Sequence, residues 1–287
     1  MNVTALRSFI AGAASEVEGR FGFFVAGGGE ELGWNADERF PLASVFKIGV
    51  LIGLLDRVAE GRERLDERVT VRAEDIAPGS GILRELEPGL SVSLRDLATL
   101  MIIVSDNSAT DMLCARVGFE RINASLARRG YRETVIRDDC WSLLSRMVGA
   151  DPADRGEANR VEVRRRLRAR EIDPAFDGGN ASTPREMARI FLDVVEGRAL
   201  GPAETAVATD ILSRQHLNSR LPLYLPQRTV CWHKTGTIAG VVDDCGVIEL
   251  PGGRHLAVAA MSKGVADNLP AERLIGRVAR QAYDEAV

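Results

Sequence analysis

The stretch Phe40-Pro41-Leu42-Ala43-Ser44-Val45-Phe46-Lys47-Ile48-Gly49-Val50-Leu51-Ile52-Gly53-Leu54-Leu55 decides how this chain is read. From Val45 to Val58 it is apolar almost all round, the mark of a helix buried on every side. Ser44 and Lys47 stand three residues apart where that helix begins, so they share a face. Burial makes an ammonium costly to keep charged, and a lysine so placed is fit to take the serine proton. The helix N-terminus adds backbone N–H groups and partial positive charge for a developing oxyanion. The result is a nucleophile with a built-in base and no need of histidine. A Ser-x-x-Lys pattern arises by chance about once in a chain this long, so it needs company.

Composition narrows the classes. The chain has 287 residues, 45% hydrophobic and 27% charged, as expected of a globular protein with one large domain or two intertwined ones. A formal net charge of −4 argues against a general nucleic-acid binder. No apolar run is long enough to cross a bilayer, and Met1 to Ser15 does not read as a signal peptide. A cytoplasmic protein is expected if the chain is native as written, and a secreted or periplasmic one if a signal was trimmed. Cys114, Cys140, Cys231 and Cys245 form no Cys-x-x-Cys, and no histidine completes a zinc site, so no metal and no cofactor is expected.

One bias points to chemistry. Lys and Arg total 37, yet lysine occurs only at Lys47, Lys234 and Lys263. Arginine does not give up its proton in a protein, so it cannot serve as a general base. Lysines that survive such a bias are candidates for chemistry, with Lys263 the one best left to chance.

Taken in order, residues 2–19 read as an amphipathic helix. Phe21 to Ala26 and Glu31 to Asn35 read as strands joined by Gly27-Gly28-Gly29. Gly61 to Asp75 is charged and loop-like, and Pro78-Gly79-Ser80-Gly81 is a turn. Gly79-Ser80-Gly81 lacks the outer glycines and preceding strand of a nucleophile elbow. Ser93 caps a helix over Leu94 to Val104, and Ser105-Asp106-Asn107 breaks it before another, Ser108 to Val117. Residues 119–129 are helical. Arg155 to Glu171, dense in arginine, reads as a solvated helix or mobile insertion, with an acidic-partner patch as the rival. Thr183-Pro184 opens a helix to Val195, and Ala203 to Arg214 is another. Three strands follow, Thr229–Thr237, Val241–Leu250 and Leu256–Lys263, then a terminal helix, Leu269–Ala286. The expected fold is α/β in the α+β sense. One antiparallel sheet joins the N-terminal hairpin to the C-terminal strands, with both terminal helices on it. Residues 1–37 and 219–287 would form the sheet domain and 38–218 a helical one, with the active site between them.

His233-Lys234-Thr235-Gly236-Thr237 closes the set. Lys234 offers charge to a substrate carboxylate or to the Ser105 hydroxyl, and Thr235 offers a second hydroxyl. Gly236 lets substrate lie against the strand edge, and the Thr237 N–H is free to point at a carbonyl oxygen. Ser-x-x-Lys, Ser-Asp-Asn and Lys-Thr-Gly in that order resemble the class A β-lactamase and penicillin-binding-protein family. Gly79-Ser80-Gly81-Ile82-Leu83, Leu94 through Ser105, Thr183-Pro184 and Asp244-Cys245-Gly246-Val247-Ile248 extend the resemblance over nearly the whole chain. It implies a β-lactamase/transpeptidase-like fold and a set of roles. Ser44 is the acylated nucleophile, Lys47 its base or relay, and Ser105 the proton donor to the leaving nitrogen. Asn107 touches the substrate amide, and Lys234 with Thr235 holds the substrate carboxylate. The Ser44 and Thr237 N–H groups form the oxyanion hole. Arg220 matches an arginine that supports carboxylate binding; a surface arginine in an arginine-rich chain is the other reading.

The sequence also departs from that family, whose omega loop carries a glutamate after a tryptophan to activate the deacylating water. Here Trp141 is followed by Ser142, and Glu171 or Glu157 would have to act from a rebuilt loop. Acylation followed by slow release is therefore expected, with β-lactam amide hydrolysis as the reaction. A D-alanyl peptidase, esterase or acyltransferase, and a β-lactam-binding protein without turnover, are the alternatives. The partner is a small molecule, and a monomer is expected. His216, His233 and His255 lie in no Ser-His-Asp motif.

Overall fold

The computed structural model describes residues 1–287. The first helix, α1 (Val3–Ser15), starts where the Asn2 side chain accepts a hydrogen bond from the Ala5 N–H at 3.1 Å. It stops short of the expected residue 19, because Gly19, at φ 137°, already turns the chain into the sheet. Strands β1 (Arg20–Gly27) and β2 (Glu30–Trp34) form the expected hairpin. A two-residue strand, β3 (Phe40–Pro41), leads into a 3₁₀ turn over Ala43–Phe46 and then α2 (Lys47–Ala59). The apolar run thus begins as a tight turn, and the α-helix proper starts at Lys47.

The charged stretch after Gly61 is not all loop: β4 (Arg68–Thr70) pairs with β5 (Ser91–Ser93). Three mostly exposed residues carry too little alternation to be read from sequence. Helices α3 (Leu94–Ile103), α4 (Asn107–Val117) and α5 (Phe119–Arg128) follow. Then comes α6 (Cys140–Met147), which the sequence reading did not anticipate. The arginine-rich stretch is a helix, α7 (Glu157–Ala169). Strand β6 (Ala181–Ser182) pairs with β3. Thr183 caps α8 (Pro184–Val195), accepting from the Glu186 N–H at 3.2 Å. Helix α9 (Pro202–Ser213) precedes strands β7 (Cys231–Ile238), β8 (Val241–Leu250) and β9 (Arg254–Lys263), and α10 (Asn268–Ala286) ends the chain.

The five-stranded sheet has the order β2-β1-β9-β8-β7 and is antiparallel throughout. Pairing of β1 with β9 ties the two ends of the chain together. Alternation sorts the side chains by face. Phe23, Val25, Val258 and Ala260 pack against Leu6 and Ile10 of α1 and Leu274, Ile275 and Val278 of α10. Phe24, Cys245, Val247, Ala257 and Ala259 face the other way, into a larger core with α2, α3, α4, α5, α8 and α9. Burying so much of α2, including Val50, Leu51, Ile52, Leu54 and Leu55, fixes its N-terminus against β7, the strand at the sheet edge. No helix is long and apolar enough to cross a membrane.

Candidate active site

The turn that carries Ser44 is held from two sides. Leu42 N–H donates to Asn180 O at 2.8 Å, and Val45 N–H donates back to Leu42 O at 2.8 Å. Ala43, fully buried, takes φ 40°, a left-handed conformation unusual for a residue with a Cβ. Strand β7 presses on this turn. A Cβ added to Gly236 would lie 2.8 Å from Leu42 O and 3.1 Å from both Ala43 Cβ and Val45 Cγ2. The glycine is thus required where the strand backbone meets the serine turn, a reason the sequence reading had assigned to substrate access alone.

Between α3 and α4, Ser105 turns the chain at φ 57° and Asp106 starts the next helix, its Oδ1 accepting from Ala109 N–H at 3.0 Å. The other carboxylate oxygen of Asp106 accepts from Ile82 N–H at 2.6 Å and Leu83 N–H at 2.8 Å. Asp106 is fully buried, so these bonds fasten the 79–83 loop to the Ser-Asp-Asn turn. The same loop gives Ser80, whose hydroxyl donates to Ser105 O at 2.8 Å. A Cβ at Gly79, φ 94°, would sit 2.5 Å from Asn107 Nδ2, so the loop closes this tightly only with glycine there.

Two of the chain's three lysines converge on one hydroxyl. Lys47 Nζ and Lys234 Nζ each lie 3.0 Å from Ser105 Oγ, and both lysines are 0% exposed. Lys47 also donates to Ser105 O and to Asn107 Oδ1, each at 2.8 Å. An ammonium has three donors, and here all three point at Ser105 and Asn107 rather than at Ser44. Lys234 donates its second bond to Thr235 O at 2.7 Å. Burial first, and the charge of Lys47 next, push the Lys234 pKa well below the ordinary lysine range. Arg220 is not on the surface. It is 5% exposed and lies behind β7, donating to Gly236 O at 2.8 Å, Asp243 O at 2.6 Å and Thr237 Oγ1 at 2.5 Å, with Glu272 Oε1 at 3.0 Å.

A cavity of about 200 Å³ opens beside Ser44. Ser80, Ser105, Asn107, Thr235 and Thr237 line its polar side, and Cys140, Leu143, Leu144, Leu217 and Ile238 line the rest. No Asp or Glu is among the lining residues. Ser142 does not reach it: as the third residue of α6 it is held through its N–H to Asp139 Oδ1 at 2.7 Å, while Leu143 is the side chain at the cavity. Glu171 and Glu157 are exposed on and beyond α7, bound to Arg165 and Arg164, and neither lines the cavity.

Asp111 was missed, although it lies one turn along α4 from Asn107 and so on the same face. Its carboxylate accepts from Cys140 N–H at 2.6 Å and Trp141 N–H at 2.9 Å, the first N–H groups of α6. With Asp139 as the cap, two carboxylates set where α6 starts and hence which residues face the cavity. Burial, then the nearby Asp139 charge, push the Asp111 pKa up to about 7. His233 is buried, not at the surface. Its Nδ1 lies 2.9 Å from Asp244 Oδ1, and Nε2 lies 3.2 Å from Asn218 Oδ1, so the imidazole is engaged away from any serine.

The chain is similar along its length to proteins already known. A β-lactamase from Sphaerobacter thermophilus superposes with a TM-score of 0.83 at 29% identity, covering 100% of this chain and 98% of that one. The protein PBP-A superposes with a TM-score of 0.80 at 28% identity, covering 99% and 96%, and a mutant of it has been captured as an acyl-enzyme with penicillin G. Among curated proteins, a β-lactamase regulatory protein, BlaB, from Streptomyces cacaoi is 28% identical over 290 residues, covering 89% of this chain and 88% of that one. The model of the beta-lactamase enzyme family matches residues 5–286, and the chain belongs to that family.

Proposed function

We propose that this protein is a serine acyl-hydrolase that opens the β-lactam amide at Ser44 and releases the acyl group slowly. The observation that carries the proposal is the meeting of Lys47 and Lys234 on Ser105 Oγ, in the wall of the cavity that holds Ser44. Ser44 Oγ attacks the lactam carbonyl carbon, and Lys47 takes its proton as the neutral amine, whose lone pair replaces one of the three donors the ammonium directs at Ser105 and Asn107. Lys47 bonds Ser105, and Ser105 lines the cavity, so the hydroxyl hands a proton to the leaving nitrogen as the C–N bond breaks. The Ser44 N–H at the helix start and the Thr237 N–H stabilise the oxyanion. Asn107 keeps its Nδ2 toward Pro78 O at 2.8 Å and retains a second N–H for the substrate amide. Lys234 and Thr235 receive the substrate carboxylate, and Arg220 supports them from behind through its bonds to Gly236 O and Thr237 Oγ1. A carboxylate bound beside Lys234 opposes the burial and the Lys47 charge that lower its pKa, so substrate binding favours the charged ammonium.

Slow release follows from the cavity wall. A deacylating water needs a base, and the residues around Ser44 offer hydroxyls and apolar side chains. Similarity to a β-lactamase regulatory protein supports a second reading, a β-lactam-binding protein that stays acylated. Intact-mass spectrometry with penicillin G separates these. The expected result is a rapid gain of one whole penicillin, mapped to the Ser44 peptide, absent in Ser44→Ala and lost over many minutes. A permanent adduct selects the binding protein. Fast hydrolysis with no accumulated adduct, or an adduct that survives Ser44→Ala, rejects the proposal.

A further inference from the structure

A second cavity, of about 530 Å³, adjoins the cavity beside Ser44 and shares Gly79 and Leu144 with it. Its floor is apolar, with Ile76 and Leu167 among its residues. Its rim carries Arg84, Arg164 and Arg168 against a single carboxylate, Glu85. The arginine-rich helix α7 is not free to wander. Arg160, 7% exposed, donates to Ile76 O at 2.7 Å and Glu74 O at 2.6 Å, and its guanidinium lies 5.2 Å from the centre of the buried Trp141 ring. Arg164 and Arg168 follow Arg160 at four-residue steps, so they share its face and are delivered to the groove. Arg84 is paired with Glu85 at 2.7 Å and Arg164 with Glu157 at 3.1 Å, whereas Arg168 makes no ion pair.

We infer that this groove is a subsite for the acyl side chain of the substrate, selecting side chains that end in a carboxylate. The inference rests on the acyl-serine reading above, since the groove shares Gly79 and Leu144 with the cavity that holds Ser44. Methylenes of the side chain lie over Ile76, Leu144 and Leu167, and the terminal carboxylate meets Arg168 and Arg164. Both guanidinium groups are partly solvated, so each adds a modest, salt-sensitive attraction.

The test compares two penicillins that differ only at the chain end: 6-aminopenicillanic acid acylated with adipic acid, and the same nucleus acylated with hexanoic acid. The second-order rate constant for acylation is read by intact mass. The adipoyl compound is expected to react faster by roughly fivefold or more, the size that two partly exposed ion pairs supply. Half-molar salt is expected to erase most of that advantage in the unaltered protein, a check that needs no mutation. Arg164→Gln with Arg168→Gln is expected to equalise the two compounds while leaving the hexanoyl rate within about twofold. Equal rates in the parent protein, or a preference that survives both high salt and the double substitution, overturn the subsite and leave acylation at Ser44 standing. Failure of both compounds to acylate Ser44 overturns the acyl-serine reading, and the subsite with it.

Discussion

Replacing Leu143 by glutamate should convert slow release into turnover. Leu143 is 4% exposed and lines the cavity with Ser44. On its other side it is crowded: a Cβ added at Gly179 would fall 2.3 Å from Leu143 Cδ1. Toward Gly179 a glutamate would approach the Asp138 carboxylate, whose Oδ2 lies 3.1 Å from that same Cβ position, so its carboxylate turns into the cavity. The cost is lost apolar burial, about 2 kcal/mol, plus a partly desolvated carboxylate, for a total of about 2–4 kcal/mol. In a chain of this size that lowers the melting temperature by roughly 5–15 °C. The gain is a positioned general base, worth about two to four powers of ten in the deacylation rate. Acylation should change far less, because Ser44, Lys47 and Ser105 are untouched. Stopped-flow penicillin hydrolysis gives the burst and the steady state, and intact mass gives the acylated fraction. Ser142→Glu is the matched control. It places the same carboxylate one residue away, near the N-terminus of α6 where a negative charge is tolerated, but off the cavity. Its release rate should stay at the parental value. A folded, normally acylated Leu143→Glu that releases no faster than the parent would refute the reasoning, as would equal acceleration by Ser142→Glu.

Three further outcomes test the surrounding geometry. Lys47→Arg keeps the charge but not the removable proton, and should lower acylation by at least about a hundredfold; near-parental acylation removes Lys47 from the proton path. Gly236→Ala sets a methyl 2.8 Å from Leu42 O, so β7 must retreat from the serine turn; a loss of about 1–3 kcal/mol in urea melts and slower acylation are expected, and parental values for both would show the contact to be slack. Asp111 has a folded pKa of about 7, raised by burial and Asp139, so the fold binds its proton more tightly than the unfolded chain does. Its contribution is therefore full below about pH 4 and declines as the pH rises toward 7, by at most about 4 kcal/mol. The stability difference between the parent protein and Asp111→Asn should slope across that window, and a flat difference would mean the carboxyl is not protonated in the fold.

Much of the fold was legible because its signals are local. Thr183-Pro184 opens α8 as expected, and the glycine turn joins β1 to β2. The scarcity of lysine pointed the same way as the three motifs, and Lys47 and Lys234 do meet at Ser105. What stayed hidden depends on contacts between distant segments. The reason for Gly236 lies in Leu42 and Val45, almost two hundred residues earlier, which no local pattern at a strand end reveals. The identity of the residue facing the cavity was misread for a similar cause. Helix α6 takes its phase from Asp139 at its cap and from Asp111 on another helix, which grips the Cys140 and Trp141 N–H groups. One residue along a helix rotates a side chain by about 100°. Counting from Trp141 therefore put Ser142 where the folded chain presents Leu143, and with that shift a weakly basic hydroxyl gives way to a side chain with no base at all. Under the proposed acyl-serine chemistry, the phase of one short helix, set by two buried aspartates, is what would limit deacylation.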